Sequence, residues 1–351
     1  MNPILYAANT QSFENLGEGV LHDCPTCRAT EERNAGIELS LTYPVTGALA
    51  DKLVYDAIIK AKINDKSELQ LFRIYKVDRA TSGIITVKAE HISYELSKNP
   101  VGNIEGTGTA DAALTALLSG AAIPHSYTVE SDVSGTRYYR VSFVSVRAGI
   151  KLIRDFFGGE LEFDNRAIRL HAARGTDTGI YISRGKNLVS ADDSTDTTGV
   201  YTAIFPYATG SDDNTITLPE KYLTTANSTK FSYIRALPVD LTNQFGEGES
   251  VTVANLREKA RQYLSDNSLD TIERNIKISF VSLWQSPEYE NIAALERVGI
   301  CDIINVRDNV IGITAKAKVI KTVYDTLAER YTSIELGTAR GDLSNAFTSV
   351  A

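Results

Sequence analysis

Apolar and polar residues alternate in several short runs along the first third of the chain. In Ile37-Glu38-Leu39-Ser40-Leu41-Thr42-Tyr43 every second residue is apolar, the period of a strand with one buried face. Pro44 and Gly47 then mark a turn. Ile85-Thr86-Val87-Lys88-Ala89-Glu90 repeats the pattern after Ser82-Gly83, and Gln70 to Val77 between them is rich in β-branched and aromatic residues. This spacing predicts a first β-barrel-like or sandwich domain over residues 1–98.

The pattern changes after Asn99-Pro100 and the glycines that lead to Gly108. Asp111 to Leu118 has helical character, and Val146, Ile150, Ile153 and Phe157 fall on one helical face. Ser145 can cap that helix and Gly158-Gly159 can stop it. Leu161-Glu162-Phe163 and Ile168-Arg169-Leu170 flank Asp164-Asn165-Arg166 as a hairpin would. Together they predict an α+β insertion domain over 99–185.

From Lys186 onward strand patterns return around one helix, whose apolar face is Leu256, Ala260, Tyr263 and Leu264. Asn275 to Phe280, Ala315 to Val319 and Thr332 to Leu336 alternate again. A second β-barrel-like domain with one helix is expected over 186–338, then a small, polar linker or tail over 339–351. The fold class is therefore expected to be mainly β with a middle α+β domain. No repeat of fixed period stands out.

Composition narrows the functions. The chain has 351 residues, 43% apolar and 23% charged, with a net charge of -8. No basic run exists to neutralise phosphates, so nucleic-acid binding is not expected. An acidic surface suits a wall that DNA slides past, but composition alone favours the simpler reading that mild acidity only helps solubility. The first residues lack the basic and apolar regions of a secretion signal. The longest apolar patch, Ala110 to Ile123, is broken by Asp111, Thr115, Ser119 and Gly120 and falls short of the ~20 apolar residues that span a bilayer. A protein made and kept in a cytoplasm, or leaving it by lysis, is expected. With Met1 the sole methionine, an adaptable methionine-rich surface is ruled out.

Candidate chemistry is sparse. Cys24-Pro25-Thr26-Cys27, with His22 beside it, is the sharpest local motif. Structural zinc needs four ligands, and Cys301 alone does not complete the set. A redox pair of this spacing normally opens a helix, whereas this one lies in a predicted β region. The pair therefore reads as two apolar-like cysteines, and three cysteines do not make a disulfide framework.

His22, His91, His125 and His171 sit in no catalytic motif, and His91 continues the Val87/Ala89 face as a partly buried, satisfied side chain. Glu160, Glu162 and Asp164 could pair as catalytic carboxylates, but Glu160 and Glu162 read as the solvent face of a strand opposite Leu161 and Phe163. Gly106 to Asp111 lacks the third glycine of a dinucleotide loop and a following P-loop lysine. Trp284, beside Pro287 and Tyr289, is thin support for a carbohydrate platform and fits a core position better. Catalytic, cofactor-binding and metal residues are each expected to be none.

The ordered blocks of the chain resemble a known family. Glu31-Glu32-Arg33-Asn34-Ala35-Gly36 through Tyr43-Pro44, Gln70 to Tyr75, and Ala89 to Leu96 look like its opening blocks. Phe157-Gly158-Gly159-Glu160-Leu161 with Phe163-Asp164, Arg174-Gly175, and Gly185 to Leu188 look like its middle, and Val239-Asp240 and Ile334 to Gly337 its last third. No block is specific alone; their order and spacing are. The family is the N-terminal hub module of siphophage and prophage tail-associated proteins, often labelled prophage tail endopeptidase. Cys24 and Cys27 depart from its pattern.

The resemblance implies a fold like the baseplate hub of contractile-tailed phages, with barrel-like domains of three chains forming a pseudo-sixfold ring. It implies a homotrimer at the virion tail tip that joins the distal tail protein to other tail-tip or tape-measure proteins. Such a hub closes the channel until DNA passes through without specific binding, and it meets the host surface only indirectly. Longer relatives carry peptidase, hydrolase or receptor-binding regions after the hub, so the endopeptidase label does not transfer to these residues. The competing expectations are a tail-associated peptidase or cell-wall lysin, and a carbohydrate-binding tip protein.

Overall fold

The computed structural model describes residues 2–210, 214–246, 249–280 and 297–338. The chain opens with β1 (Ile4–Tyr6), β2 (Gly19–Val20), β3 (Thr26–Glu32) and β4 (Gly36–Pro44), followed by β5 (Ile58–Ala61), β6 (Gln70–Arg79) and β7 (Ile84–His91). These strands pair antiparallel in the order β3-β4-β7-β6-β5-β1-β2. Ile37, Leu39, Leu41 and Tyr43 of β4 are buried while Glu38 and Ser40 are exposed, as the alternation requires. Burying each such side chain contributes roughly 1.5–3 kcal/mol.

The middle of the chain comprises β8 (Pro100–Gly108), α1 (Ala110–Ser119), β9 (Thr128–Ser131), β10 (Arg137–Ser145), α2 (Val146–Phe157), β11 (Glu160–Asp164) and β12 (Ala167–His171). β8 and β10 form a two-stranded ribbon, and β11, β12 and β9 a small sheet. The Ser145 hydroxyl accepts from the Ala148 amide at 3.2 Å, and Gly158 ends α2 with φ of 80°. The helix buries Val146, Ile150, Ile153 and Phe157. Their hydrophobic cluster runs without a break from Leu5 to Leu170, so the core continues across the position 98/99.

β13 (Asp177–Ser183) and β14 (Leu188–Asp196) come next. A self-contained unit follows, with β15 (Ala203–Thr209), β16 (Thr215–Thr217), β17 (Leu223–Thr224), β18 (Ala236–Asp240) and α3 (Val253–Asp266). It has its own core of Ile204, Ala208, Leu218, Val239, Leu241, Phe245, Leu256 and Ala260. The chain then returns through β19 (Glu273–Phe280), and Glu273 stands opposite Asp196 in the β14–β19 pair. The unit thus leaves and re-enters a hairpin at adjacent positions.

The last strands are β20 (Ile303–Asp308), β21 (Ile313–Asp325) and β22 (Arg330–Thr338). They form a curved run β13-β20-β21-β22-β19-β14 around a second core that includes Ile182, Ile278, Val306, Val319 and Leu336. Its ends, β13 and β14, meet only at the bridge Arg184 to Leu188, so the barrel-like half does not close.

The long β21 joins the two β-rich halves. Along one edge, Ile313 to Lys318 pair with β20 and Lys321 to Asp325 pair with β3. One 13-stranded sheet therefore runs through both halves. No helix among the described residues is long and apolar enough to cross a membrane.

Candidate functional site

Where the halves meet, charges lie almost out of water. Glu31 on β3 is 3% exposed, and its carboxylate accepts from Arg174 Nη2 at 2.8 Å. Glu160, at the start of β11, is 5% exposed. It meets Arg33 at 2.8 Å, Lys318 of β21 through both oxygens at 2.9 Å, and the Arg174 amide at 2.7 Å. Glu162 accepts from His171 Nε2 at 2.8 Å. Asp164 accepts from Gln70 Nε2 at 2.9 Å and from Arg169 at 3.2 Å. Behind them, Asp302 accepts from the Thr176 amide at 3.0 Å and the Gly299 amide at 2.7 Å, and pairs with Lys66. Residues from β3, the middle unit and the second half thus share one ionic seam.

This arrangement corrects the expectation for Glu160. It does not face solvent, because Lys318 and Arg33 cover it from the neighbouring strand and turn. The three carboxylates are brought together on β11, but each faces cations or donors. Burial acts to raise the Glu162 carboxyl, yet the His171 hydrogen bond and the Arg174 charge prevail and hold it below its ordinary value. An acid–base couple needs neighbouring groups whose environments push their acidities apart. Here the surroundings favour the ionised form of Glu162, and Glu160 and Asp164 are engaged by cations and donors, which is what a clamp requires.

A second polar network pins the middle unit to β6 and β7. His91 is completely buried, more so than its place in the pattern implied. Gln70 Oε1 accepts from the Asn165 amide at 2.7 Å, so His91 Nε2, 3.1 Å from that oxygen, must donate to it. Nδ1 is then the acceptor for Ser93, 2.9 Å from its hydroxyl, and Arg147 donates to that hydroxyl at 2.7 Å. Burial, with Arg147 nearby, pushes the imidazole down to about 3. His91 is a neutral structural link.

The other candidates are dispersed. His22 contacts the Asn2 amide, and His125 Nε2 lies 3.1 Å from the Leu118 carbonyl. Cys24, Cys27 and Cys301 are free and buried. Among the described residues, no group of three or more His, Cys, Asp or Glu side chains is placed to hold a metal ion. Trp284, Pro287 and Tyr289 lie outside the described residues. A polar cleft of about 280 Å³ lies between the ends of α2 and α3, but its arginines are engaged. Arg137 reaches Asp266 and the Phe156 carbonyl, Arg154 reaches Asp155 and the Asn34 carbonyl, and Arg33 reaches Glu160.

Arg147 and Lys318 escaped the sequence reading, and Arg174 entered it only as part of a family-like block. Arg147 had a usable signal: it follows Val146 and precedes Ile150 on α2, beside the buried stripe. Its guanidinium lies 3.8 Å from the Tyr94 ring centre and 4.5 Å from that of Phe163, a stacking site that rewards arginine over lysine. Gly175, next to Arg174, has φ of +78°, and a Cβ there would lie 2.4 Å from the Cys301 carbonyl group. The Arg174-Gly175 pair therefore joins a charge to a backbone close approach.

Comparison with known proteins places this geometry. Residues 176–346 match the family described as prophage endopeptidase tail. The prophage tail protein gp18 from Listeria monocytogenes EGD-e shares the fold with a TM-score of 0.63 at 15% identity, over 98% of this chain and 97% of that one. The 43 kDa tail protein of prophage MuSo2 from Shewanella oneidensis gives 0.64 at 11% identity, covering 97% and 98%. A tail protein from Neisseria meningitidis MC58 gives 0.60 at 10% identity, covering 96% and 95%. No curated protein matches this chain in sequence. The matched segment spans β13 to β22, including β21 and the Lys318 side of the seam, and over it the chain is similar to the prophage tail-associated protein family.

Proposed function

We propose that the chain is a structural hub at the tip of a phage or prophage tail, linking the distal tail ring to the tip apparatus and closing the channel before DNA ejection. The observation that carries this reading is the unbroken 13-stranded sheet, in which the family-matched half is welded to the first half through β3 and β21. A part that transmits force between rings benefits from such continuity, since backbone hydrogen bonds and a buried ionic seam resist shear at the joint. Three copies closing by cyclic symmetry would present two barrel-like halves each, six in all, towards a hexameric tail. The net charge of -8 suits a lumen that DNA must pass without sticking.

In this reading the chain is not an enzyme. Supporting it, Glu31, Glu160 and Glu162 are occupied by arginine, lysine and histidine partners. Its partners are further copies of itself, the distal tail protein and other tip or tape-measure proteins, with the host surface engaged indirectly.

Co-assembly with the distal tail protein, followed by imaging, tests the proposal. Three copies around a channel lined by acidic or neutral side chains are expected. A twofold or open helical assembly, or a lumen of lysine and arginine, would overturn it. Peptidoglycan or peptide cleavage abolished by one Ser, Cys, His or Asp substitution would favour the tail-lysin reading instead.

A further inference from the structure

The Cys24-Pro25-Thr26-Cys27 motif is absorbed neither by the hub reading nor by a metal site. The fold gives it an unexpected arrangement. Cys24 lies in the turn ahead of β3 and Cys27 inside that strand, and both side chains belong to one cluster. Cys24 Sγ donates to the Thr26 carbonyl at 3.1 Å, and the two thiols lie close enough to shift each other's acidity. Their positions are unequal. Cys24 keeps 7% exposure in a turn held by few backbone bonds, including its own amide to the Leu21 carbonyl at 3.3 Å. Cys27 is fully buried in β3, and its carbonyl accepts from the Thr326 amide at 2.9 Å.

We propose that Cys24 and Cys27 form an oxidisable dithiol that closes to a disulfide when the protein meets a small-molecule disulfide, with Cys24 as the attacking sulfur. Local opening of the Leu21–Pro25 turn exposes Cys24 without unfolding the sheet, because turns open at lower cost than core strands. The Cys24 thiolate attacks one sulfur of the small disulfide, which breaks its S–S bond and releases one small thiolate. Cys27 then gives up its proton and attacks Cys24, forming the protein disulfide and releasing the second small thiol. The protein dithiol is oxidised by two electrons and the small disulfide is reduced to two thiols, so the exchange balances.

The electrostatics support this order. The neighbouring Cys27 draws the Cys24 thiol below its ordinary value, and Cys24 together with burial pushes Cys27 well above its own. The spacing departs from the helix-opening arrangement of redox enzymes, so the consequence is a staple rather than a turnover cycle. A tail protein assembled in a reducing cytoplasm and released by lysis would acquire it outside the cell.

The test uses the folded full chain and oxidised glutathione, with thiols alkylated after an acid quench. Trypsin leaves Cys24 and Cys27 together in the peptide 1–28 and Cys301 in the peptide 298–307. The expected result is loss of two hydrogen atoms from the first peptide, while Cys301 stays reduced and alkylated. Cys27→Ser should trap glutathione on Cys24, whereas Cys24→Ser should leave Cys27 unmodified. Full alkylation of both cysteines in the folded protein, under conditions that oxidise the urea-unfolded chain, would overturn the proposal and mark them as inert core thiols. Glutathione trapped on Cys27 instead would overturn the assignment of the attacking sulfur. Either outcome leaves the hub reading untouched.

Discussion

Arg174 and Glu31, 143 positions apart in the chain, meet across 2.8 Å with little water around either side chain. The Glu31 carboxylate keeps only 3% of its exposure, so removing the arginine strands a charge in the interior.

Arg174→Met should therefore destabilise the protein by about 3–5 kcal/mol, the cost of breaking a buried pair from one side. Glu31→Gln combined with Arg174→Met should recover part of that loss. Denaturant unfolding of the two single variants and the double variant measures the coupling, and additive effects would show that the pair is screened.

His91 makes stability depend on pH. Its folded value, about 3, lies below the ordinary 6.5, so the unfolded chain takes up the proton first. The contribution is fully present above about pH 6.5 and is lost as pH falls from there towards 3, by about 1.4 kcal/mol per unit. Chemical denaturation at stepped pH should follow that slope, and His91→Gln should flatten it. In the folded protein the imidazole resonances should not move between pH 7 and about pH 4.

Gly175→Ala forces a side chain into a left-handed backbone conformation and into the Cys301 carbonyl. A loss of about 2 kcal/mol or more is expected. Thermal unfolding of this variant beside Gly185→Ala separates the two causes: Gly185 has φ of +84° but no atom within 4 Å of a Cβ, so it reports the conformational cost alone.

Residues 197–272 leave and rejoin the β14–β19 hairpin at Asp196 and Glu273. Replacing them by Asn-Gly, a two-residue hairpin turn, should leave the remaining chain folded, with cooperative unfolding and β-type circular dichroism. Collapse or aggregation of the deletion variant would mean that the Arg137–Asp266 contact and its surroundings are needed for the fold.

Much of the local structure was legible in the sequence because strands and helices write their faces into a period. The alternation of Ile37 to Tyr43 fixed which side of β4 is buried, and Ser145 and Gly158 bounded α2 through caps that involve only near neighbours. A period tells which way a side chain points; it does not say what stands opposite. Glu160 was misjudged for that reason, since Lys318 arrives from a strand 158 positions later. The separate core of 197–272 was likewise hidden, because its residues repeat with the periods of any α+β segment and only their mutual contact defines a unit. The decisive joint, β3 against β21, pairs Glu31 with Thr322. No local rule encodes such a contact: closing so long a loop is unfavourable until both cores have formed, and only the assembled tertiary structure makes that edge available.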